Sequence, residues 1–113
     1  MTAEYPLLFK NKDKNRFEKH RQKALKAAEK ASEILKKEYD ADKVILFGSI
    51  LDKDKFNLKS DIDLAVIGLA DELYFKAYAQ ISRDVGEFSI DLLDFKDCRD
   101  SFKKEIVNNG VEL

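Results

Sequence analysis

An α/β (α+β) fold, a small mixed β-sheet with helices packed on one face, is the architecture that this 113-residue chain predicts. Three observations lead there. Apolar residues recur at three- and four-residue spacing in long stretches, short β-branched or alternating segments lie between them, and the two kinds of segment alternate along the chain.

Each element follows in order. From about Asp13 to Glu38, the residues Phe17, Ala24, Leu25, Ala28, Ala31, Ile34 and Leu35 define one face of an amphipathic helix. The other face is basic. The only histidine, His20, sits among Lys19, Arg21 and Lys23 and reads as an exposed residue without a role. Lys43 to Phe47 is a short apolar strand, after which Gly48-Ser49 lets the backbone turn sharply. Residues 50–60 are polar, rich in Lys and Asp, and predict a short turn of helix followed by a loop anchored by Phe56 and Leu58.

The run Ser60-Asp61-Ile62-Asp63-Leu64-Ala65-Val66 alternates as a strand with Ile62, Leu64 and Val66 facing a core. Asp71 to Val85 returns to helical spacing through Leu73, Ala77, Ile81 and Val85, with Tyr74, Phe75 and Tyr78 expected to add aromatic bulk to the core. Gly86 stops that helix. Phe88 to Phe95 alternates as another strand, and Cys98 to Asn109 forms a last helix before Gly110 and a short tail.

Composition fits one domain over residues 1–113, at 44% apolar and 38% charged. No apolar run approaches the length of a membrane span, and the apolar patch near the N-terminus is too short for a signal peptide, so a cytoplasmic protein with no membrane partner is expected. A single cysteine, Cys98, excludes an intramolecular disulfide, and the lack of clustered histidines argues against zinc. Charge is uneven: residues 1–39 carry eleven Lys/Arg against six Asp/Glu, and residues 40–113 carry ten against sixteen. The net charge of −1 argues against nucleic acid as a direct ligand, since affinity for a polyanion needs many phosphate contacts. The basic run from Lys10 to Lys37 reads as the solvated face of a helix.

The chemistry concentrates at the strand ends. In an extended strand, side chains at i and i+2 share a face, so Asp61 and Asp63 present oxygens to one point. Two like charges that close call for a cation, and hard oxygen ligands suit Mg²⁺ (or Mn²⁺). Asp91 lies inside an apolar run, where an ionised carboxylate is costly unless it is paired or metal-bound. Asp94 falls on the opposite face and reads as structural or solvated. Three carboxylates on two neighbouring strands could serve two divalent ions. The Gly48-Ser49 turn offers backbone amides and a hydroxyl to phosphate.

These residues resemble the DNA polymerase β-like nucleotidyltransferase superfamily, specifically its minimal nucleotidyltransferase (MNT) proteins. The likeness covers nearly the whole chain: Val44-Ile45-Leu46-Phe47-Gly48-Ser49, then Ser60-Asp61-Ile62-Asp63-Leu64-Ala65-Val66, then Ile90-Asp91-Leu92-Leu93. It implies a nucleotidyltransferase fold whose carboxylate face lies open to substrate. The family usually places an Arg directly after Gly-Ser and ten residues before the first Asp. Here Ile50-Leu51 follows Ser49 and the spacer has eleven residues. Lys53, Lys55 or Lys59 would have to hold phosphate instead, as point charges without a bidentate fork.

The resemblance also implies a function. MNT proteins are the antitoxin-type partners of helical HEPN proteins, and some transfer AMP to a tyrosine of that partner. The expected activity is therefore metal-dependent transfer of AMP from ATP to a protein hydroxyl, with Asp61, Asp63 and Asp91 as metal-binding catalytic residues and Gly48, Ser49, Lys53 and Lys55 on the nucleotide. The alternative is a catalytically impaired nucleotide- or partner-binding module that docks a HEPN protein without transfer. Transfer to a small molecule fits less well, because no separate acceptor-binding domain is visible. Monomer, homo-oligomer and hetero-oligomer all remain compatible with the sequence.

Overall fold

The structure is a computed structural model that describes residues 4–113, with side chains described from Arg16 onward. Helix α1 spans Glu4–Glu38, nine residues longer at its start than its apolar spacing predicts, and Pro6 falls in its first turn, where a missing N–H costs nothing. Asp40, at φ 59, then reverses the chain, a left-handed conformation that Asp tolerates better than most residues.

Four strands follow: β1 Lys43–Phe47, β2 Ile62–Ile67, β3 Ile90–Asp94 and β4 Val111–Glu112. They form one mixed sheet in the order β3-β2-β1-β4. β1 is antiparallel to both β2 and β4, and β2 is parallel to β3. Between β2 and β3 the chain crosses over through a 3-10 turn, Asp71–Leu73, and helix α2, Tyr74–Asp84. A second such turn, Phe95–Asp97, leads towards helix α3, Asp100–Asn109. The mixed α/β class is the one the sequence predicts. Strand β4 is too short to show in hydrophobic period and was expected as part of the tail.

Alternation divides the sheet into two faces. Val44, Leu46, Ile62, Leu64, Val66, Ile90 and Leu92 meet Ala24, Ala28, Ala31 and Leu35 of α1 and Ala77 and Ile81 of α2 in the main core. The alanines let α1 approach the sheet closely. The opposite face holds a smaller cluster of Ile45, Ala65 and Ile106, with Phe47, Ile67 and Phe102 packed on it. So α1 and α2 share one face as expected, whereas α3 packs on the other. Phe102 and Ile106, four residues apart, give α3 an apolar stripe that only Ile45, Ala65 and Phe47 are free to cover.

Five side chains depart from their expected settings, among them Tyr78, expected in the core but exposed on α2. Phe75 is 83% exposed, because Ala77 and Ile81 fix the buried face of α2 and place Phe75 away from it. Leu58 and Phe17 are exposed, so Phe56 alone anchors the 50–60 loop in the core. His20 is half-buried, with its ring stacked on Phe56 at 5.6 Å and tilted against Phe88 at 5.1 Å. It is therefore a packing residue between α1 and two loops, although its neighbours in sequence are charged.

Candidate active site

Parallel pairing of β2 with β3 sets Asp63 directly beside Asp91, across a strand spacing of about 4.8 Å. Both fall on the face opposite the main core, since Ile62 and Leu64, and Ile90 and Leu92, point inward. Asp61 precedes β2 by one residue and is exposed, as is Asp91; Asp63 is half-buried. Burial raises the Asp63 carboxyl to about pKa 6, with the neighbouring charges of Asp91 and then Asp61 adding to the shift. The site thus stores electrostatic strain in its central carboxylate.

The glycine turn closes onto that same residue. Phe47, the last residue of β1, is the cross-strand partner of Asp63, so Gly48 emerges against the Asp63 side chain. Gly48 has φ +84, and a Cβ there would overlap Asp63 Oδ2 and stand 3.0 Å from its Cγ. Both observations demand glycine. The 3-10 turn Gly48–Leu51 carries Ser49 onto a cleft of about 430 Å³ between this turn and α3. Phe47, Phe102 and Ile106 give that cleft apolar walls, and Ser49, Asp52, Lys55, Glu105 and Asn109 bring polar and charged groups of both signs to it.

Among the residues expected on the nucleotide, Gly48, Ser49 and Lys55 therefore meet in one place. Lys53 and Lys59 do not line the cleft. Ile50, where the resemblance leads one to look for an arginine, is fully buried in the main core and does not line the cleft. Asp94 is tied to Lys96 at 2.8 Å, and Lys96 reaches Asp71 at 2.5 Å. That network is a structural clasp between β3 and the turn before α2, in keeping with the expected role of Asp94.

One contact at the turn is invisible to sequence reasoning. Arg21 Nε donates to the Ile50 carbonyl at 2.7 Å, from 29 residues away. No local pattern marks a bond of that separation.

Among the described residues, no three acidic, histidine or cysteine side chains close into a metal cage. The donor chemistry nevertheless fits a divalent cation. Two register-paired carboxylates, one of them raised to about pKa 6 by burial and then by its charged neighbours, are stabilised by a hard cation that removes their mutual repulsion. An open set of this kind leaves coordination positions for substrate oxygens.

Comparison with known proteins identifies the family and the fold. Residues 29–113 match the family described as polymerase beta, nucleotidyltransferase. The chain belongs to this family. Its nucleotidyltransferase fold is shared with a solved toxin–antitoxin complex, a mutant of MntA–HpeT, at TM-score 0.55 and 18% identity over 69% of this chain and 65% of that one. A second, a toxin–antitoxin structure with AMP-PNP, matches at TM-score 0.56 and 20% identity over 81% of this chain and 70% of that one. The chain thus spans just under two thirds of the first neighbour's length. No curated protein shows significant similarity. Among the described residues of this nucleotidyltransferase domain, no helix is long and apolar enough to cross a membrane.

Proposed function

We propose that this nucleotidyltransferase transfers AMP from ATP to a hydroxyl of a partner protein, as the antitoxin half of an MNT/HEPN pair. The observation that carries the reading is the junction of Asp63, Asp91 and Gly48: two register-paired carboxylates beside a turn that cannot bear a side chain. The fold shared with a toxin–antitoxin structure holding AMP-PNP supports both ATP as donor and a protein as partner.

In this reading Asp61, Asp63 and Asp91 hold divalent metal, Mg²⁺ or Mn²⁺, which when bound offsets the charge of the phosphates and lowers the pKa of the acceptor hydroxyl. Gly48 and Ser49 orient the β- and γ-phosphates through backbone amides and the Ser49 hydroxyl, and Lys55 adds positive charge. The acceptor oxygen attacks the α-phosphorus in line, forming a new P–O bond as the bond to the β-phosphate bridging oxygen breaks. Pyrophosphate leaves. Asp91, the exposed member of the pair, accepts the hydroxyl proton.

The test is incorporation of α-labelled ATP into a co-purified helical partner, comparing wild type with Asp61→Asn/Asp63→Asn. Label that disappears in the double variant supports transfer through this site. A stable complex that never takes label favours the second reading, a docking module without transfer. The observation on that side is Ile50 itself, an apolar residue buried in the core where the family usually carries an arginine.

A further inference from the structure

We infer that Arg21 is a positioning residue for the phosphate-binding turn, acting from α1 through the Ile50 carbonyl; the inference rests on the nucleotidyl-transfer reading of the site. The turn and loop from Gly48 to Ser60 make mostly local hydrogen bonds. Asp52 N–H donates to the Ser49 carbonyl, Lys55 and Phe56 N–H to that of Asp52, and Ser60 N–H to that of Asn57. The side-chain bonds of Asp52, Asn57 and Ser60 also stay within the segment. Phe47 supplies no side-chain cap. Among the described residues, the Arg21–Ile50 bond at 2.7 Å is the one side-chain hydrogen bond that ties this segment to another element.

The bond is built to hold. The Arg21 side chain is only 20% exposed, and its guanidinium also lies within ion-pair range of Glu18 Oε1, 3.8 Å away on the same helix. A charge-assisted bond to a partly desolvated carbonyl is stronger than a neutral one. Next to it, His20 wedges between Phe56 and Phe88, so one turn of α1 grips the segment at two points. The consequence lies on the other side of the turn. Gly48 touches Asp63, and Ser49 and Lys55 line the cleft; a turn free to shift would lose the alignment of its amides with the carboxylates, and small misplacements of such groups are costly in affinity and rate. Arg21 touches neither cleft nor carboxylates and acts wholly through the backbone.

The experiment compares wild type, Arg21→Met and Arg21→Lys by amide hydrogen exchange and by calorimetric titration with Mg²⁺·AMP-PNP. Methionine keeps the packing and removes the donor; lysine restores a cationic donor. The expected result for Arg21→Met is exchange about tenfold faster at Leu51 and Asp52, unchanged exchange in β1 and β2, and AMP-PNP affinity weakened by about tenfold, with Arg21→Lys between Met and wild type. A merely structural role would instead speed exchange across the sheet. Unchanged exchange at the turn in Arg21→Met overturns the inference, as does faster exchange with undiminished affinity. A wild type that binds no AMP-PNP sinks the nucleotidyl-transfer reading and the functional half of the inference with it; the exchange comparison still decides whether Arg21 holds the turn.

Discussion

Gly48 packs so tightly against the Asp63 carboxylate that any side chain at position 48 would have to displace it, at a backbone φ of +84 that disfavours every residue but glycine. The two residues arrive from antiparallel strands, β1 and β2, and the Phe47–Asp63 pairing brings them together. Gly48→Ala is expected to cost about 2 kcal/mol from the positive φ alone, and more from the collision with Asp63. It should also abolish Mg²⁺·ATP binding. Urea unfolding of the two single variants and of Gly48→Ala/Asp63→Ala closes a double-mutant cycle: removing the carboxylate should return part of the lost stability. Strict additivity would contradict the contact.

The raised Asp63 carboxyl makes a prediction with a definite sign. Its folded pKa of about 6 lies above its ordinary value of 3.8, so between pH 4 and 6 the native state binds more protons than the unfolded state. Stability from this group is therefore largest below about pH 4 and falls as pH rises through 6. At pH 7.5 in EDTA, Asp63→Asn should be more stable than wild type by about 1 kcal/mol, a figure reduced for the partial solvent access of the site. At pH 4 the two should unfold together. Adding Mg²⁺ should raise the wild-type midpoint and leave Asp63→Asn unmoved. A wild type more stable than Asp63→Asn at pH 7.5 without metal would remove the strain assigned to the pair.

Hydrophobic period and turn chemistry carried most of the fold. The three longer strands, the core face of β2, the α1 stripe from Ala24 to Leu35 and the Ala77–Ile81 face of α2 were legible, because period 2 and period 3.6 leave separate marks. Strand alternation also put Asp63 and Asp91 on neighbouring strands near the Gly48 turn, but the antiparallel β1–β2 and parallel β2–β3 registers that join them are visible only in the structure. Less was visible where partners are distant. His20 looked exposed because its neighbours in sequence are charged, while the rings that bury it come from residues 56 and 88. The face taken by α3 depended on Ile45 and Ala65, two residues whose strands also point inward. Ile50 could be seen to replace a basic residue, but only the structure shows it inside the core.

Two tyrosines guard the open edge of the sheet. Tyr78 Oη donates to the Ile90 carbonyl at 2.9 Å and Tyr74 Oη to the Leu92 carbonyl. β3 is an outer strand, and carbonyls left free on such an edge invite pairing with another chain. Tyr78→Phe should cost about 1 kcal/mol in urea unfolding. The double variant Tyr74→Phe/Tyr78→Phe should go further and self-associate, seen as a concentration-dependent shift in size-exclusion chromatography. A double variant that stays monodisperse at high concentration would show that the hydroxyls stabilise the edge without shielding it.

Lys55 and Lys53 are separated by the structure although the sequence treats them alike. The 3-10 turn Gly48–Leu51 and the backbone bonds from Lys55 and Phe56 to Asp52 fold the loop so that Lys55 lines the cleft with Ser49, whereas Lys53 does not. A solvated lysine near phosphate contributes as a screened point charge, so Lys55→Ala should weaken ATP binding about threefold to tenfold, and the loss should shrink as salt is raised. Lys53→Ala should bind within about twofold of wild type at the same ionic strength, because its charge acts only through solvent. Partner binding should survive both substitutions. Equal losses at the two positions would mean that the loop repacks around nucleotide, placing both lysines on the phosphates.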